Sequence, residues 1–378
     1  MSRKIVVGIP SYNEGENIGF VAGQVDKGLQ KYFKDHQAVI INCDGNSTDG
    51  TVEHFLSAQT KTEKMVLRKK GLTGKGNVFK QLFRYIKKHG ARYCIVVDAD
   101  LKSIKPVWVK YMIEPLEKGY DYVTPFYSRH KYDGTITNNI CYPLVYALLG
   151  KNIRQPIGGD FSFSGELAGY WLDQKWIKAI NYFGIDIFMT ISTIRGGYKT
   201  AQVNLGSKIH KPSAPNLNVM FLQVCDSLFH NLGAGKIEET IRVKKSRMFG
   251  LKKLARPQSL SFDDQKIKRD VLDEYRTHLS TIRKVLPDNH FETISSIFKT
   301  GEPVIGSGLW CRLVYDCVAA YRSQKKDAIK TLQILYFGRV YSFIQETRSM
   351  SQAKAELEIL EQAKVFRKNR KYLIEKLK

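Results

Sequence analysis

Asp98 and Asp100 stand one residue apart at the end of a short apolar run, residues 94–97. Such a run is typical of a strand buried on both faces, so the two carboxylates would leave the sheet together. Carboxylates at a strand end suit a hard divalent cation, which takes oxygen ligands and often keeps waters and a substrate phosphate. Alternatively, Asp98 caps a turn and Asp100 is solvated, which is the commoner fate of an isolated Asp-x-Asp.

Further polar groups follow other apolar runs. Asp44 ends the run 39–43 and opens a loop of small turn-forming residues, where it could bind a nucleoside or form an Asx turn. The glycine-rich loop 71–77 contains Lys75 and precedes a helical pattern. It lacks the Walker A spacing, but a helix N-terminus with a lysine favours phosphate.

Three later positions complete the candidate chemistry. The adjacent glycines of residues 154–160 indicate a sharp bend or a close approach of the backbone to a ligand. Asp186 falls in the first turn of a predicted helix, where a carboxylate can simply favour the helix start. His210 ends a predicted strand, and a lone histidine is more often a surface residue than a ligand.

The elements that would position these side chains alternate between strands and helices. Apolar runs at residues 5–9, 39–43, 65–67, 94–97 and 120–124 predict strands. Helical patterns follow from residue 18, from the glycine-rich loop to about residue 88, and over 106–117. This alternation predicts an α/β, mostly parallel sheet, and the carboxyl ends of its strands would gather the polar loops at one edge.

Seven motifs in this order resemble the GT-A nucleotide-sugar glycosyltransferases. They are PSYNEGEN (10–17), CDGNSTDGT (43–51), GLTGKGN (71–77), DAD (98–100), QPIGGD (155–160), FGIDIF (183–188) and IHKP (209–212). Within the family-2-like enzymes, the set is most similar to the retaining mannosylglycerate synthase and glucosyl-3-phosphoglycerate synthase group. The resemblance covers about residues 4–215 and implies a GT-A, Rossmann-like domain.

The resemblance implies roles for the residues already named. Asp100 and His210 would bind Mg²⁺ or Mn²⁺ at the diphosphate of a nucleoside-diphosphate sugar. Gln155, Ile157, Gly158 and Asp186 are assigned to catalysis, and residues 155–159 would cradle the transferred sugar. The donor-binding set is Pro10, Asn13, Glu14, Asp44, Lys75, Asp98, Gly159 and Asp160. The acceptor-binding set is Arg129, Thr137 and Asp186, where the planar guanidinium of Arg129 suits a carboxylate.

The resemblance further implies a hexosyltransferase that acts on a small hydroxy acid such as D-glycerate or 3-phosphoglycerate, with retention. The chain departs from the pattern at two places. Asp160 stands where the group usually has glutamate, and Gly134-Thr135 replaces the arginine that phosphoglycerate-using members place before the acceptor threonine. Lys131 is the cation that could compensate. Asp186 also matches the position of a catalytic base in inverting family-2 enzymes, so the stereochemistry is left open.

Composition restricts the partners. The formal charge of +24 favours anionic partners such as nucleotides or an acidic membrane surface. The six cysteines form no CxxC pair and are interpreted as reduced core thiols of a cytoplasmic protein. No apolar run is long enough to cross a bilayer, so membrane contact would be at most peripheral. No nucleic-acid motif accompanies the charge, so no nucleic-acid partner is expected, and a homodimer is left open.

Residues 1–215 are predicted to form the GT-A domain and residues 216–378 a mainly helical C-terminal domain. Helical spacing is found over 271–285, 309–321, 330–347 and 353–376, and the basic runs 244–245, 252–253 and 367–371 are interpreted as solvated helix faces. Two other functions stay open. One is a transferase acting on a lipid phosphate or a polysaccharide, and the other is a non-catalytic nucleotide- or polyanion-binding module.

Overall fold

A computed structural model describes residues 4–211, 217–260 and 262–378. The strands are β1 (Lys4–Ser11), β2 (Gln37–Asp44), β3 (Glu63–Arg68), β4 (Tyr93–Val96), β5 (Tyr122–Ser128), β6 (Lys151–Asn152), β7 (Phe161–Ser164), β8 (Thr200–Ser207), β9 (Lys244–Lys245) and β10 (Arg247–Gly250).

The α-helices are α1 (Gly15–Tyr32), α2 (Thr51–Ser57), α3 (Lys75–His89), α4 (Val107–Glu117), α5 (Tyr142–Leu149), α6 (Gly165–Leu172), α7 (Ile185–Arg195), α8 (Leu217–Gly233), α9 (Asp264–Thr277), α10 (Leu279–Val285), α11 (Asp288–Lys299), α12 (Ser307–Ala320), α13 (Lys325–Thr347), α14 (Gln352–Lys368) and α15 (Arg370–Leu377). A π-helical turn spans Thr137–Cys141, and a 3-10 turn spans Lys178–Asn181.

The chain forms two compact units, each discontinuous in sequence. Unit 1 comprises residues 1–129, 155–217 and 246–258, and unit 2 comprises residues 130–154, 218–245 and 259–378. The sequence prediction of two contiguous domains differs in two segments, since residues 130–154 cluster with unit 2 and residues 246–258 with unit 1. The predicted boundary at 215/216 and Pro212 of the IHKP motif lie outside the described residues.

Unit 1 is built on a sheet of order β10-β8-β5-β7-β4-β1-β2-β3. Every neighbouring pair is parallel except those of β7, which runs antiparallel to β4 and β5. Both faces are covered, as the apolar runs predicted. Ile5 and Val7 of β1 pack in the cluster that contains Val21 of α1, whereas Val6 points to the opposite face with Phe79 of α3. This mostly parallel, helix-flanked sheet confirms the predicted fold class.

Unit 2 is mainly helical, as predicted for the C-terminal residues. Its longest helix, α13, contacts α9, α10 and α12 and is buried along most of its length. The guanidinium of Arg339, buried in α13, binds Glu346 at 2.7 Å and Gln362 at 2.8 Å. Glu346 belongs to α13 itself and Gln362 to α14, so the buried guanidinium connects α13 with α14.

Several boundaries differ from the sequence prediction. The pattern over 271–285 is split between α9 and α10, and that over 353–376 between α14 and α15. The interpretation of the basic runs as solvated helix faces was wrong in part. Residues 244–245 form β9, residues 252–253 lie outside any helix, and Arg370 is buried with its guanidinium on backbone carbonyls. All six cysteines are free and buried, which confirms the core thiols. No helix among the described residues is long and apolar enough to cross a membrane.

Candidate active site

The parallel strands of unit 1 deliver the predicted site residues to one edge of the sheet. β1, β2, β4 and β8 end at Ser11, Asp44, Val96 and Ser207, and the loops that follow carry the Asn13, Asp98 and His210 side chains. Because β1 pairs in parallel with both β2 and β4, their carboxyl ends lie side by side. The sequence prediction that these loops share an edge is confirmed.

The antiparallel strand β7 brings Asp160 to the same edge. Val96, at the end of β4, pairs with Phe161, at the start of β7, so the residue before β7 lies beside the residues after β4. The Asp160 carboxylate accepts a hydrogen bond from the Asp98 backbone N–H at 2.8 Å and from the Tyr127 hydroxyl at 2.7 Å. Asp160 is fully buried, and its carboxylate holds the Asp98 backbone and the Tyr127 side chain in place. A direct contact with the donor stays a prediction.

Lys208 pairs with two of the buried carboxylates. Its ammonium donates to Asp98 at 2.7 Å, to Asp160 at 2.8 Å and to the Gly158 carbonyl at 3.0 Å. Burial would lower the pKa of Lys208, but the Asp160 and Asp98 carboxylates outweigh it, and the pKa is raised. Lys208 is therefore a fixed positive charge at this edge.

Lys75, at the first position of α3, continues the chain of charges. Its ammonium lies 3.3 Å from Asp98 and 3.2 Å from Asp186, which is in the first turn of α7. Burial opposes the charge, yet Asp186 and Asp98 raise the pKa of Lys75. Burial would likewise raise the pKa of Asp98, but Lys208 and Lys75 hold it well below its usual range. Charges therefore alternate along Asp160, Lys208, Asp98, Lys75 and Asp186.

Asp100 and His210 form a second, more open pair. The Nδ1 atom of His210 lies 3.8 Å from the Asp100 carboxylate, and both side chains are about one-fifth exposed. Burial and the charges of Lys208 and Arg129 lower the pKa of His210, which favours the neutral imidazole that can bind a metal. The backbone of Lys211 donates to Asp100 at 3.1 Å and thereby fixes the carboxylate. Among the described residues, no cluster of three or more His, Cys, Asp or Glu could hold a metal.

The glycine-rich loop is held more tightly than the sequence suggested. The Gly76 N–H donates to the Tyr182 carbonyl at 3.2 Å, and a Cβ on Gly76 would lie 1.7 Å from the Ile180 carbonyl oxygen. The Gly76 N–H is therefore already bonded and does not point to a phosphate. Its role is close packing of α3 against the 180–182 backbone, which sets the position of Lys75.

The predicted nucleoside loop is stabilised by its own polar side chains. Asp44 is fully buried and accepts from the N–H groups of Asn46 and Ser47 and from Arg68 at 3.2 Å. Asn13 has a left-handed backbone, with φ of 56°, and its side-chain amide oxygen Oδ1 accepts a hydrogen bond from the Thr48 N–H at 3.0 Å. Both side chains thus order the loop, as the Asx-turn alternative for Asp44 implied, and their contact with a nucleoside stays a prediction.

Pro10 and Glu14 flank this loop. Pro10 lies within β1, opposite Cys43 of β2. The Glu14 carboxylate binds Lys211 at 2.8 Å, and burial raises its pKa. Glu14 is thereby connected to the segment that carries His210.

The predicted sugar loop lies beside β5. The Gln155 amide is buried and brackets Tyr127, accepting from its N–H at 3.2 Å and donating to its carbonyl at 2.8 Å. A Cβ on Gly158 would lie 2.2 Å from Pro125, so only glycine fits there. Ile157 is half-buried between these two fixed points. The loop is therefore rigid, and its contact with a sugar stays a prediction.

The predicted acceptor residues fall in both units. Arg129 of unit 1 is half-buried, and its Nε donates to Gln155 at 3.4 Å. Thr137 belongs to unit 2, where it begins the π-helical turn. Lys131, also in unit 2, donates to the carbonyl of Thr347, the last residue of α13, and to that of Met350 in the following turn, each at 2.7 Å. Its ammonium is thus committed to a helix end.

Residues 6–167 match the model of glycosyl transferase family 2. The chain contains a glycosyl transferase family 2 domain. The carboxyl edge described above, as far as Asp160, lies within the matched residues, whereas Asp186, Lys208 and His210 follow them. The recognition of a family-2-like domain from the sequence motifs is confirmed.

The curated relatives align with only part of this chain. Dolichol-phosphate mannosyltransferase of Pyrococcus furiosus is 27% identical over 209 residues, which are 52% of this chain and 53% of that protein. Mannosylglycerate synthase of Rhodothermus marinus is 30% identical over 105 residues, 26% of each chain. The chain thus spans about half, or less, of the length of these curated relatives. A solved structure of glucosyl-3-phosphoglycerate synthase from Mycobacterium tuberculosis, in complex with Mn²⁺, uridine diphosphate and phosphoglyceric acid, is 26% identical, with a TM-score of 0.49 over 62% of this chain and 80% of that one.

Lys208 is a site residue that sequence reasoning missed. It lies between Ser207, the last residue of β8, and the IHKP motif, two positions before His210. Alternation along an extended segment places residues 208 and 210 on the same side, and this was the available signal. The identity of its partners depended on β7, whose antiparallel pairing the sequence did not reveal.

Proposed function

We propose that the chain is a metal-dependent hexosyltransferase that moves glucose or mannose from a nucleoside-diphosphate sugar to a small hydroxy acid such as D-glycerate or 3-phosphoglycerate. The observation that carries the proposal is the Asp100–His210 pair, 3.8 Å apart and partly open, on the edge that also carries the buried Lys208 and the largely buried Lys75. A carboxylate and an imidazole next to fixed cations suit a cation and a diphosphate together.

Mg²⁺ or Mn²⁺ fits this donor set. The Asp100 oxygen and the neutral His210 nitrogen supply two ligands, and diphosphate oxygens and waters would complete the coordination. When bound, the cation would neutralise charge on the nucleoside diphosphate as it leaves. Lys75 and Lys208 add fixed positive charge, and the rigid loop around Asp44 supports the nucleoside.

The acceptor is oriented by the remaining residues of the site. Arg129 binds its carboxylate with a planar fork, and Asp186 accepts a hydrogen bond from the attacking hydroxyl. With retention, attack occurs on the face that the diphosphate leaves, and the hydroxyl proton passes to the departing phosphate oxygen. Since the Lys131 ammonium binds carbonyls at the end of α13, it offers no free cation for an acceptor phosphate. D-Glycerate is therefore the preferred acceptor.

A matrix of UDP-, GDP- and ADP-sugars against D-glycerate, 3-phosphoglycerate and no acceptor, with Mg²⁺ or Mn²⁺, tests the proposal. We expect one donor to give metal-dependent product, with D-glycerate faster than 3-phosphoglycerate. The anomeric proton coupling of the product should indicate an α-linkage from an α-linked donor, and a β-linkage would exclude retention. Absence of transfer and of donor hydrolysis throughout would leave a non-catalytic nucleotide-binding module.

A lipid-phosphate acceptor is the second candidate, favoured by the similarity to a dolichol-phosphate mannosyltransferase over 209 residues. A polyprenyl phosphate in detergent, added as a further acceptor to the same matrix, separates the two. Faster transfer to the polyprenyl phosphate than to D-glycerate would replace the first proposal by this one.

A further inference from the structure

Residues 247–256 of unit 1, which we call the basic-leucine segment, expose cationic and aliphatic side chains together. The segment contains four cations and no carboxylate, and each of the four is exposed. Leu254 is 70% exposed, Met248 43% and Leu251 38%. Exposed leucines are ordinary when scattered singly, but a cluster within one cationic segment marks an interaction surface.

The segment is held in place by its backbone. β10 pairs with β8, and the Asn204 amide donates to the carbonyls of Leu251 at 2.8 Å and of Lys253 at 3.1 Å. The Ala255 N–H donates to the Ser128 hydroxyl at 3.0 Å. Because the backbone is fixed at several points, the exposure of the leucines is a property of the fold and not of a loose loop.

One aromatic residue shows which side of the segment faces inward. Phe249 is buried, and its ring packs edge-on against Tyr120 at 5.6 Å. Met248, its neighbour, points outward, as alternation along a strand requires. By the same alternation Arg247 lies on the side of Phe249, with its guanidinium carbon 5.8 Å from the centre of that ring. The segment is therefore anchored at Phe249 and exposes Met248 together with the cations and leucines that follow β10.

We propose that the basic-leucine segment docks on an anionic lipid bilayer. Lysines attract acidic headgroups, and protruding aliphatic side chains insert among the acyl chains, so the combination fits an interface. A second copy of the same surface would bring like charges together, which opposes self-association. Nucleic acid would use the cations but not the leucines, since aliphatic groups gain nothing from a phosphate backbone. The docking does not depend on which acceptor the site uses.

The hydrogen bonds also place the segment beside the candidate site. Ser128, which binds Ala255, precedes Arg129, and the Ser207 hydroxyl, which donates to the Arg256 carbonyl at 2.5 Å, precedes Lys208. A bilayer bound at the segment would therefore lie near the edge of the sheet that carries the proposed acceptor and diphosphate residues.

Sedimentation of the full chain with vesicles tests the proposal. Phosphatidylcholine vesicles should bind little, and vesicles that also contain phosphatidylglycerol should bind strongly at low salt and more weakly as salt is raised. The double variant Lys252→Glu/Lys253→Glu should lower the partition coefficient by at least about tenfold, and Leu254→Ser by about threefold or more.

Two matched controls separate the segment from general charge and hydrophobicity. Lys27→Glu/Lys34→Glu makes the same charge change at exposed lysines of unit 1, and Leu56→Ser removes a leucine that is 51% exposed in α2. Both should bind vesicles as the parent chain does. Thermal unfolding of all variants verifies that they are folded.

Three outcomes would overturn the proposal. The first is no preference for the anionic vesicles, and the second is an equal loss of binding in the control variants. The third is that the lysine variant loses binding to RNA and vesicles alike while Leu254→Ser changes neither, which would identify a polyanion site. Bilayer docking is supported if both segment variants lose vesicle binding while both control variants keep it.

Discussion

The ammonium of Lys208 lies 2.7 Å from the Asp98 carboxylate, and the same ammonium lies 2.8 Å from Asp160. One cation, contributed after β8, thus pairs with carboxylates that follow β4 and precede β7. Since all three side chains are largely buried, removal of the cation would leave two carboxylates with little solvent to compensate them.

Lys208→Met is therefore expected to lower the free energy of unfolding by about 3–5 kcal/mol at neutral pH. Urea denaturation measures it, with Lys266→Met, whose pair with Asp270 is solvent-exposed, as the control that changes little. In the parent chain the pKa of Asp98 is held low, so its stabilisation is present above the ordinary carboxyl pKa and is lost as pH falls. The deficit of the variant should shrink toward acidic pH. A deficit that is the same at every pH would show that Lys208 acts by packing alone.

Gly159→Ala should strongly reduce glycosyl transfer, because it displaces the same group of charges. Gly159 has φ of +90°, and a Cβ there would lie 2.3 Å from the Asp98 carboxylate and 2.9 Å from the Lys208 ammonium. We expect kcat/KM to fall by at least about a hundredfold, because a displacement of about 1 Å in a site can cost that much.

Gly197→Ala is the matched control for this substitution. Gly197 has φ of +78°, and a Cβ there would meet no atom within 4 Å. It carries a similar backbone strain, about 1–2 kcal/mol, without touching the site. Equal activity losses in the two variants would show that strain, and not the position of Asp98, is responsible.

The acid limb of the pH profile should report Asp186. Burial raises the pKa of Asp186, the Asp98 charge adds to the rise, and Lys75 opposes it. Since Asp186 must be ionised to accept the acceptor hydroxyl, activity should fall with decreasing pH around a pKa above the ordinary value of about 3.9.

Lys75→Met tests the coupling between these two residues. Removal of the cation 3.2 Å from Asp186 should raise the pKa of Asp186 further, so the acid limb of kcat/KM for the acceptor should move to higher pH at saturating donor. Asp186→Asn should remove the limb together with most of the activity. A limb that does not move in Lys75→Met would assign it to another group.

The residues predicted from sequence were those whose position depends on one strand alone. Asp98, Asp100 and His210 follow apolar runs, and parallel strands that connect through helices must end on the same side, so their meeting could be anticipated. The pairing of Lys208 and the hydrogen bonds of Asp160 could not be anticipated, because both depend on where the four-residue strand β7 inserts in the sheet. That position is determined by packing over the whole sheet. The membership of residues 130–154 in unit 2 is likewise a long-range property with no local signal.

The most direct test of the central claim is turnover of a nucleotide sugar by the parent chain and by Asp100→Ala, each with Mn²⁺, with Mg²⁺ and after chelation. Turnover should require the cation in the parent chain and should fall by at least about a hundredfold in Asp100→Ala, with binding of Mn²⁺ in the presence of the nucleoside diphosphate reduced in parallel. Asp133→Ala, a change at an aspartate of unit 2 with no role in the proposal, should leave both unchanged. Cation-independent turnover, or full activity in Asp100→Ala, would contradict the assignment of Asp100 and His210 as the metal site.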